Sequence, residues 1–152
     1  MRVGISGEDD FVQPYLEAAL GDDLVRIPSE ALNENIQVDA MLASCDAVVL
    51  MNAHPPHSGG GRDDRAALLG MRDAARPILE AVERHGSLHL VLIGTLRVHP
   101  QATPEEPYYS SQASLAPRDI AAEGQLWVEE RAIEHATEDS PVSVLRCSNV
   151  QG

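Results

Sequence analysis

Short apolar runs alternate with longer amphipathic stretches along this chain of 152 residues. Continuous apolar runs such as DAVVLM and LHLVLI are typical of parallel strands that are buried on both faces of a sheet. The pattern predicts about six strands, at residues 3–5, 23–27, 33–39, 46–51, 88–93 and 142–146, of which 33–39 is either a short strand or a turn.

The amphipathic stretches predict helices between these strands. One helix follows the first strand and ends near Leu20, a small one covers 40–44, and two long ones cover 63–85 and 118–137. Strands that alternate with helices form parallel sheets with right-handed crossovers. We therefore predict an α/β fold, a Rossmann-like doubly wound parallel sheet in three layers, formed by a single domain over 1–152.

The first twenty residues, MRVGISGEDDFVQPYLEAAL, predict a strand, a turn at Gly7 and a helix. Dinucleotide-binding α/β domains begin in this way, with the pyrophosphate at the N-terminus of the helix. Their loop uses three glycines, for the turn, for the approach of phosphate and for helix packing. Here Gly7 occupies the first position, and Asp10 and Gln13 occupy the other two. The pattern predicts the fold with weakened phosphate contacts.

The second strand also departs from the pattern of a nicotinamide-binding domain. Such domains place an acidic residue at the end of this strand, where it holds the adenosine ribose. Here Pro28 occupies that position, and Glu30 follows two residues later. This is a second weakened cofactor contact.

The net charge of −13 excludes some partners, and all 11 basic residues are arginines. A surface with this much negative charge repels phosphodiester backbones, and we therefore expect no nucleic-acid partner. No apolar run is long enough to cross a bilayer, so we expect no membrane partner. The two cysteines lie far apart, which favours a reduced, cytoplasmic protein. The arginine bias fits either adaptation to high salt or a high-GC genome.

Several segments together resemble the extended short-chain dehydrogenase/reductase family, the NAD-dependent epimerases and dehydratases. They are MRVGISG, CDAVVLMNA, ILEAVERHG before LHLVLIGT, and PVSVLRCSNVQG, which is similar to the family's Leu-Arg-Pro-x-Asn-Val-Tyr-Gly. The resemblance covers essentially the whole chain. It implies a single NAD(P)-binding domain without the family's C-terminal substrate-binding portion.

The resemblance also implies where catalytic residues would lie. The family uses a Ser or Thr after the fifth strand, and a Tyr four residues before a Lys that lowers the pKa of that Tyr and binds the ribose. Thr95 lies at the hydroxyl position. The Tyr–Lys pair falls on Ala121 and Gln125 in the register that needs no insertion. In the other register it falls on Tyr108 and Gln112.

Neither register contains a lysine, and the chain has none. A neutral glutamine cannot stabilise a tyrosinate, which requires a pKa shift of several units. We therefore expect a nucleotide-binding or assembly module without the family's catalysis. The alternative is an active NAD(P)-dependent oxidoreductase or epimerase with atypical catalytic residues, Thr95 and Tyr108. A third hypothesis is a shortened relative whose site is completed by a partner chain.

Binding of NAD or NADP is expected to be weak or absent. The positions that the resemblance assigns to the cofactor are Gly7, Asp10, Phe11, Val12, Asn52, Ala53 and Thr95. The ligand set for a metal is incomplete, because His54 and His57 have no placed carboxylate or thiolate, so we expect no metal site. The remaining partners expected are a small nucleotide and a second copy of the chain, bound through helices 63–85 and 118–137.

Overall fold

A computed structural model describes residues 1–7, 12–51, 64–105 and 113–147. The strands are β1 (Val3–Ser6), β2 (Leu24–Ile27), β3 (Ala47–Met51), β4 (His89–Thr95) and β5 (Val142–Cys147). The helices are α1 (Val12–Leu20), α2 (Asn35–Leu42), α3 (Asp64–His85) and α4 (Ile120–Glu134). Short 3-10 turns lie at Gly21–Asp23, Ser29–Asn33 and Leu96–Val98.

All five strands are parallel and form one sheet in the order β2-β1-β3-β4-β5. The chain moves outward from β1 to β2, returns to β3 on the other side of β1, and then continues to β4 and β5. The order therefore reverses between β1 and β3. In open parallel sheets, ligands bind outside the carboxyl ends of the strands at such a reversal.

Alternate residues of the strands enter two separate apolar cores. Val48 and Leu50 pack with α2, α3 and α4, whereas Val49 and Met51 pack with α1. Successive side chains of a strand point to opposite faces, so this division places α1 on one face and the other three helices on the opposite one. The predicted three-layer doubly wound α/β fold is confirmed.

The prediction of about six strands is close, but one element was assigned wrongly. The segment 33–39, predicted as a short strand or a turn, lies in the turn that ends at Asn33 and in α2, which begins at Asn35. Val38 and Leu42 are both fully buried and Ile36 is 84% exposed. Burial that recurs after four residues is typical of a helix. The alternation of Ile36 and Val38, which fits a strand, covers too few residues to show this longer period.

Across the described ranges, no helix combines the length and the apolar character that crossing a membrane requires.

Gly7 fixes the carboxyl end of β1 against β3. Its φ of 92° lies in the left-handed region, and a Cβ built on it would lie 1.8 Å from the carbonyl oxygen of Met51. Both the backbone conformation and the contact therefore require glycine. Gly7 thus directly follows β1, as predicted, while the predicted turn after it lies outside the described residues.

We predict that Gly7→Ala lowers the free energy of unfolding by about 3 kcal/mol or more, because it adds a backbone clash to an unfavourable φ. Gly21→Ala is the matched control, since Gly21 has a φ of 52° but no atom within 4 Å of the point where a Cβ would lie. Its cost should be about 1 kcal/mol. Urea denaturation of both variants measures the difference, and equal losses would contradict the role of the Met51 contact.

Candidate functional site at the carboxyl edge of the sheet

The carboxyl ends of the strands bring several predicted site residues to one edge of the sheet. Gly7 follows β1 and lies against the end of β3, while Thr95 ends β4 and pairs with Cys147 at the end of β5. Beside Gly7, the Ser6 hydroxyl is buried and has no hydrogen-bond partner among the described residues. Val12 begins α1 and packs against the core on that face of the sheet.

Thr95 is buried, and its hydroxyl is used by the local backbone. The Arg97 backbone N–H donates to Thr95 Oγ1 at 3.3 Å, which caps the turn at Leu96–Val98. This contact orients the hydroxyl and occupies one of its acceptor positions. The hydroxyl can still donate its own hydrogen to a carbonyl.

Behind Thr95, the backbone of β4 leaves space for two polar side chains of α4. A Cβ built on Gly94 would lie 2.7 Å from both Gln125 Nε2 and Glu129 Oε1. The Gln125 amide donates to Glu129 Oε1 at 3.2 Å, and both side chains are buried. Gly94 therefore lets a hydrogen-bonded pair of polar side chains lie directly on the sheet.

The Glu129 carboxylate is neutralised from β5. Arg146 donates from Nε and Nη2 to Glu129 Oε2, at 2.9 and 2.8 Å. The Glu129 side chain is completely buried and that of Arg146 is 20% exposed. Charge-assisted pairs of this kind hold their partners in a defined geometry. The positive charge of Arg146 is thus paired with the carboxylate that also accepts from Gln125.

His99 extends this network to the segment before α4. Its Nε2 lies 3.3 Å from Arg146 Nη1, and its Nδ1 lies 3.2 Å from the carbonyl oxygen of Ser114. Arg118 donates to the backbone oxygens of His99 and Pro100, both at 3.0 Å. The connected polar network, which we call the Glu129 network, comprises Gln125, Glu129, Arg146 and His99.

The N-terminus of α4 is capped next to this network. The Asp119 carboxylate accepts from the Ala122 backbone N–H at 3.0 Å and pairs with Arg97. Asp119 thus fixes α4 to the turn that follows Thr95. The first turn of α4, which contains Ala121, is held in place by this cap.

Comparison with known proteins identifies the fold. No protein-family model matches the chain, and no curated protein matches it. Among solved structures, dTDP-4-dehydrorhamnose reductase from Bacillus anthracis, in complex with NADP, matches with a TM-score of 0.78 at 19% identity, over 97% of this chain and 53% of that chain. RMD from Pseudomonas aeruginosa, complexed with NADPH, matches with a TM-score of 0.75 at 22% identity, over 97% and 54%. UDP-glucuronic acid 4-epimerase from Bacillus cereus, in complex with NAD, gives 0.74 at 18%, over 100% and 58%.

The chain has the fold of these reductases and epimerases. The resemblance to extended short-chain dehydrogenases/reductases is thus confirmed at the level of the fold. The chain spans little more than half the length of each of these three structures. At such identities the likeness establishes the fold, and the site must be judged from its own residues.

The predicted site residues divide into two groups. Gly7, Val12 and Thr95 lie within the described residues, with the first and third at the carboxyl edge of the sheet. The others lie outside the described residues: Asp10, Phe11, Asn52, Ala53 and Tyr108, together with Gln112 and the loop histidines His54 and His57. For both groups, the assignment to the cofactor or to catalysis stays a prediction. Within the described ranges, no three His, Cys, Asp or Glu side chains form a group that could hold a metal ion.

Sequence reasoning found Gln125 but missed its partners. The sequence pattern assigns no role to Glu129 or Arg146. One local signal was present, because Gln125 and Glu129 are four residues apart on one helix and such residues face the same side. The contact with Arg146 joins residues 17 positions apart and gave no local signal.

Cys45 shows no sign of a reactive thiolate. Burial raises the pKa of the Cys45 thiol, an effect that Asp46 adds to and Arg2 opposes. Reactive cysteines have lowered pKa values. The described structure therefore gives no support for cysteine chemistry at this position.

We predict that Arg146→Met lowers the free energy of unfolding by about 3–5 kcal/mol, because it leaves the buried Glu129 carboxylate without its cation. The double variant Glu129→Leu/Arg146→Met should lose less, since no unpaired charge stays buried. Urea denaturation of the single and double variants measures this coupling.

A matched control for the loss of an ion pair is Arg26→Met. Arg26 pairs with Glu17, and the Arg26 side chain is 58% exposed. Its loss should cost less than about 1 kcal/mol. If the losses of stability in Glu129→Leu and Arg146→Met add up to the loss in the double variant, the buried Glu129–Arg146 pair is not coupled.

Proposed function

We propose that this chain is a nucleotide-binding or assembly module of the Rossmann type, without the oxidoreductase or epimerase catalysis associated with its resemblance. The observation that carries the proposal is the environment of Gln125. The resemblance places the activating lysine there, and the residue present is a neutral amide that donates to Glu129. Nothing in this contact supplies the positive charge that lowers the pKa of a tyrosine.

The nearby guanidinium does not replace the lysine in this proposal. Arg146 uses Nε and Nη2 on Glu129, and its Nη1 faces His99 Nε2. A cation that is paired with a buried carboxylate contributes little net charge to a phenol elsewhere. In the register that needs no insertion, the tyrosine position is occupied by Ala121, whose methyl group cannot transfer a proton.

Nucleotide binding is the weaker half of the proposed function. Solved structures with the same fold carry NADP, NADPH and NAD. This chain keeps the reversal of strand order and Gly7, which support a binding edge. It has Asp10 and Gln13 in place of two loop glycines and Pro28 in place of the ribose-binding acid. We therefore propose weak binding of NAD or NADP, or none.

We predict that titration with NAD, NADP and their reduced forms gives no saturation below about 1 mM, which corresponds to a binding free energy weaker than about −4 kcal/mol. Isothermal titration calorimetry measures all four ligands, and fluorescence measures the reduced ones. The reductase from Bacillus anthracis, solved with NADP, is the positive control.

Micromolar binding would favour the alternative, an active NAD(P)-dependent oxidoreductase or epimerase that uses Thr95 and Tyr108. In that case Tyr108→Phe should abolish any turnover. Turnover that survives this substitution would remove Tyr108 from the mechanism. Binding that appears only with a partner chain would favour the third hypothesis, in which a second polypeptide completes the site. The chain itself spans about half the length of the compared structures.

Assembly is supported by the outer surface of α3 and α4. Between these helices lies a groove of about 220 Å³, lined by Arg76, Leu79, Glu80, Glu83, Trp127, Arg131 and His135. The Arg72 guanidinium lies 5.0 Å from the centre of the Trp127 ring. Both signs of charge lie on one face together with an aromatic ring. A second copy related by a two-fold axis would present the complementary charges.

We predict a homodimer through these helices, and that Leu69→Glu converts it to a monomer. Leu69 is 46% exposed and lies on the helical stripe that continues through Arg72 and Arg76. Ile36→Glu is the matched control, because Ile36 is 84% exposed but lies on α2. Light scattering at low and high salt measures the mass of each variant. Loss of the dimer in the control but not in Leu69→Glu would place the interface elsewhere.

A further inference from the structure

His99 is a buried imidazole whose two nitrogens are both in contact with protein. It follows the turn at Leu96–Val98 and is only 2% exposed. Nδ1 lies 3.2 Å from the Ser114 carbonyl oxygen, and Nε2 lies 3.3 Å from Arg146 Nη1. The ring therefore joins the segment before α4 to the strand β5.

The chemistry of these two partners fixes the form of the ring. A carbonyl oxygen only accepts hydrogen bonds, and a guanidinium only donates them. Nδ1 must therefore carry the hydrogen and donate to Ser114, while Nε2 must be bare and accept from Arg146. A second proton, on Nε2, would set two N–H groups and two positive charges against each other.

The contacts around His99 show what such a proton would disturb. The Ala116 backbone N–H donates to the Val98 oxygen at 2.9 Å, and that of Arg118 donates to the Arg97 oxygen at 3.1 Å. These bonds lay the segment 114–118 along the segment 96–99. The His99 ring is the side-chain contact that ties this pair of segments to Arg146.

The charged groups near His99 come from three elements of the described structure. Arg146 of β5 faces Nε2 directly, and Glu129 of α4 lies behind it as the partner of the guanidinium. Arg118, before α4, donates to the His99 backbone oxygen. Glu129 is held by Arg146, so the charge next to Nε2 is the guanidinium.

We propose that His99 is a proton-sensitive latch. In its neutral Nδ1–H form it fastens the segments 96–99 and 114–118 to Arg146, and a second proton releases them from β5. Acidification therefore loosens the part of the chain that holds Thr95 and the start of α4. The inference goes beyond the proposed function, because it concerns regulation by pH and holds whether or not a nucleotide binds.

The first test is NMR spectroscopy of the ¹⁵N-labelled protein, which observes the imidazole nitrogens directly. At about pH 8, where an ordinary histidine is neutral, we expect a protonated Nδ1 and a bare Nε2 for His99. A ring with the hydrogen on Nε2 would overturn the proposal. This measurement uses the unchanged protein, so it does not depend on any variant that must fold.

The second test is hydrogen exchange of the Ala116 and Arg118 amides, expressed as protection relative to the intrinsic rate. Between about pH 8 and about pH 5, the range in which histidine changes its charge, we expect their protection to fall roughly tenfold. The Leu90 amide, which donates to the Pro141 oxygen at 2.9 Å within the sheet, should keep its protection. Equal loss at Leu90 would indicate global unfolding and would overturn a local latch.

Two substitutions separate an effect of His99 from an effect of the Glu129 carboxylate, which pairs with the same arginine. His99→Gln places an amide oxygen toward Arg146 and removes the titratable ring, so the protection of Ala116 and Arg118 should not change with pH. His99→Asn keeps a donor toward Ser114 but loses the acceptor for Arg146, so protection should be low at every pH. The same fall in His99→Gln as in the original protein would assign the effect to another group and overturn the proposal.

Discussion

The Glu129 carboxylate is completely buried, and the residues around it have to compensate for its charge. A buried charge is tolerated only where a partner of opposite charge and further hydrogen bonds replace its hydration. Arg146 supplies the charge from the neighbouring strand, and Gln125 supplies a further N–H from the same helix. The packing of α4 on β4 and β5 is therefore fixed by polar contacts as well as by the apolar core.

The chain shares the fold of structures solved with NADP and with NAD, which consists of a parallel sheet and the helices that cover it. Those features persist here in the five parallel strands and their two cores. At position 125 the side chain is an amide whose hydrogen bond points to Glu129, so this part of α4 is neutral and turned toward the sheet.

Much of the fold could be predicted because its signals are local. The runs in β3 and β4 are apolar at nearly every position, and this pattern has few alternatives to a buried parallel strand. The segment containing Ile36 and Val38 was misassigned because two apolar residues at a spacing of two fit a strand over a short window. The longer spacing between Val38 and Leu42 reveals the helix, in which both are buried.

The candidate site was less predictable because its contacts are long-range. Gly7 and Thr95 were found from their places after strands, which topology brings to one edge. The partners of Gln125 could not be found in this way. Arg146 reaches α4 only when β5 lies beside β4, and His99 meets Arg146 across 47 residues of sequence. Such contacts exist only after the sheet has been assembled.

Gly94 carries a consequence for any attempt to redesign position 125. The missing Cβ is what allows an amide and a carboxylate to rest on the backbone of the sheet. An ammonium group introduced at position 125 would meet the Glu129 carboxylate and would compete with Arg146 for it. Positions 94, 125, 129 and 146 therefore have to be changed together, because each fills the space or balances the charge that the others leave.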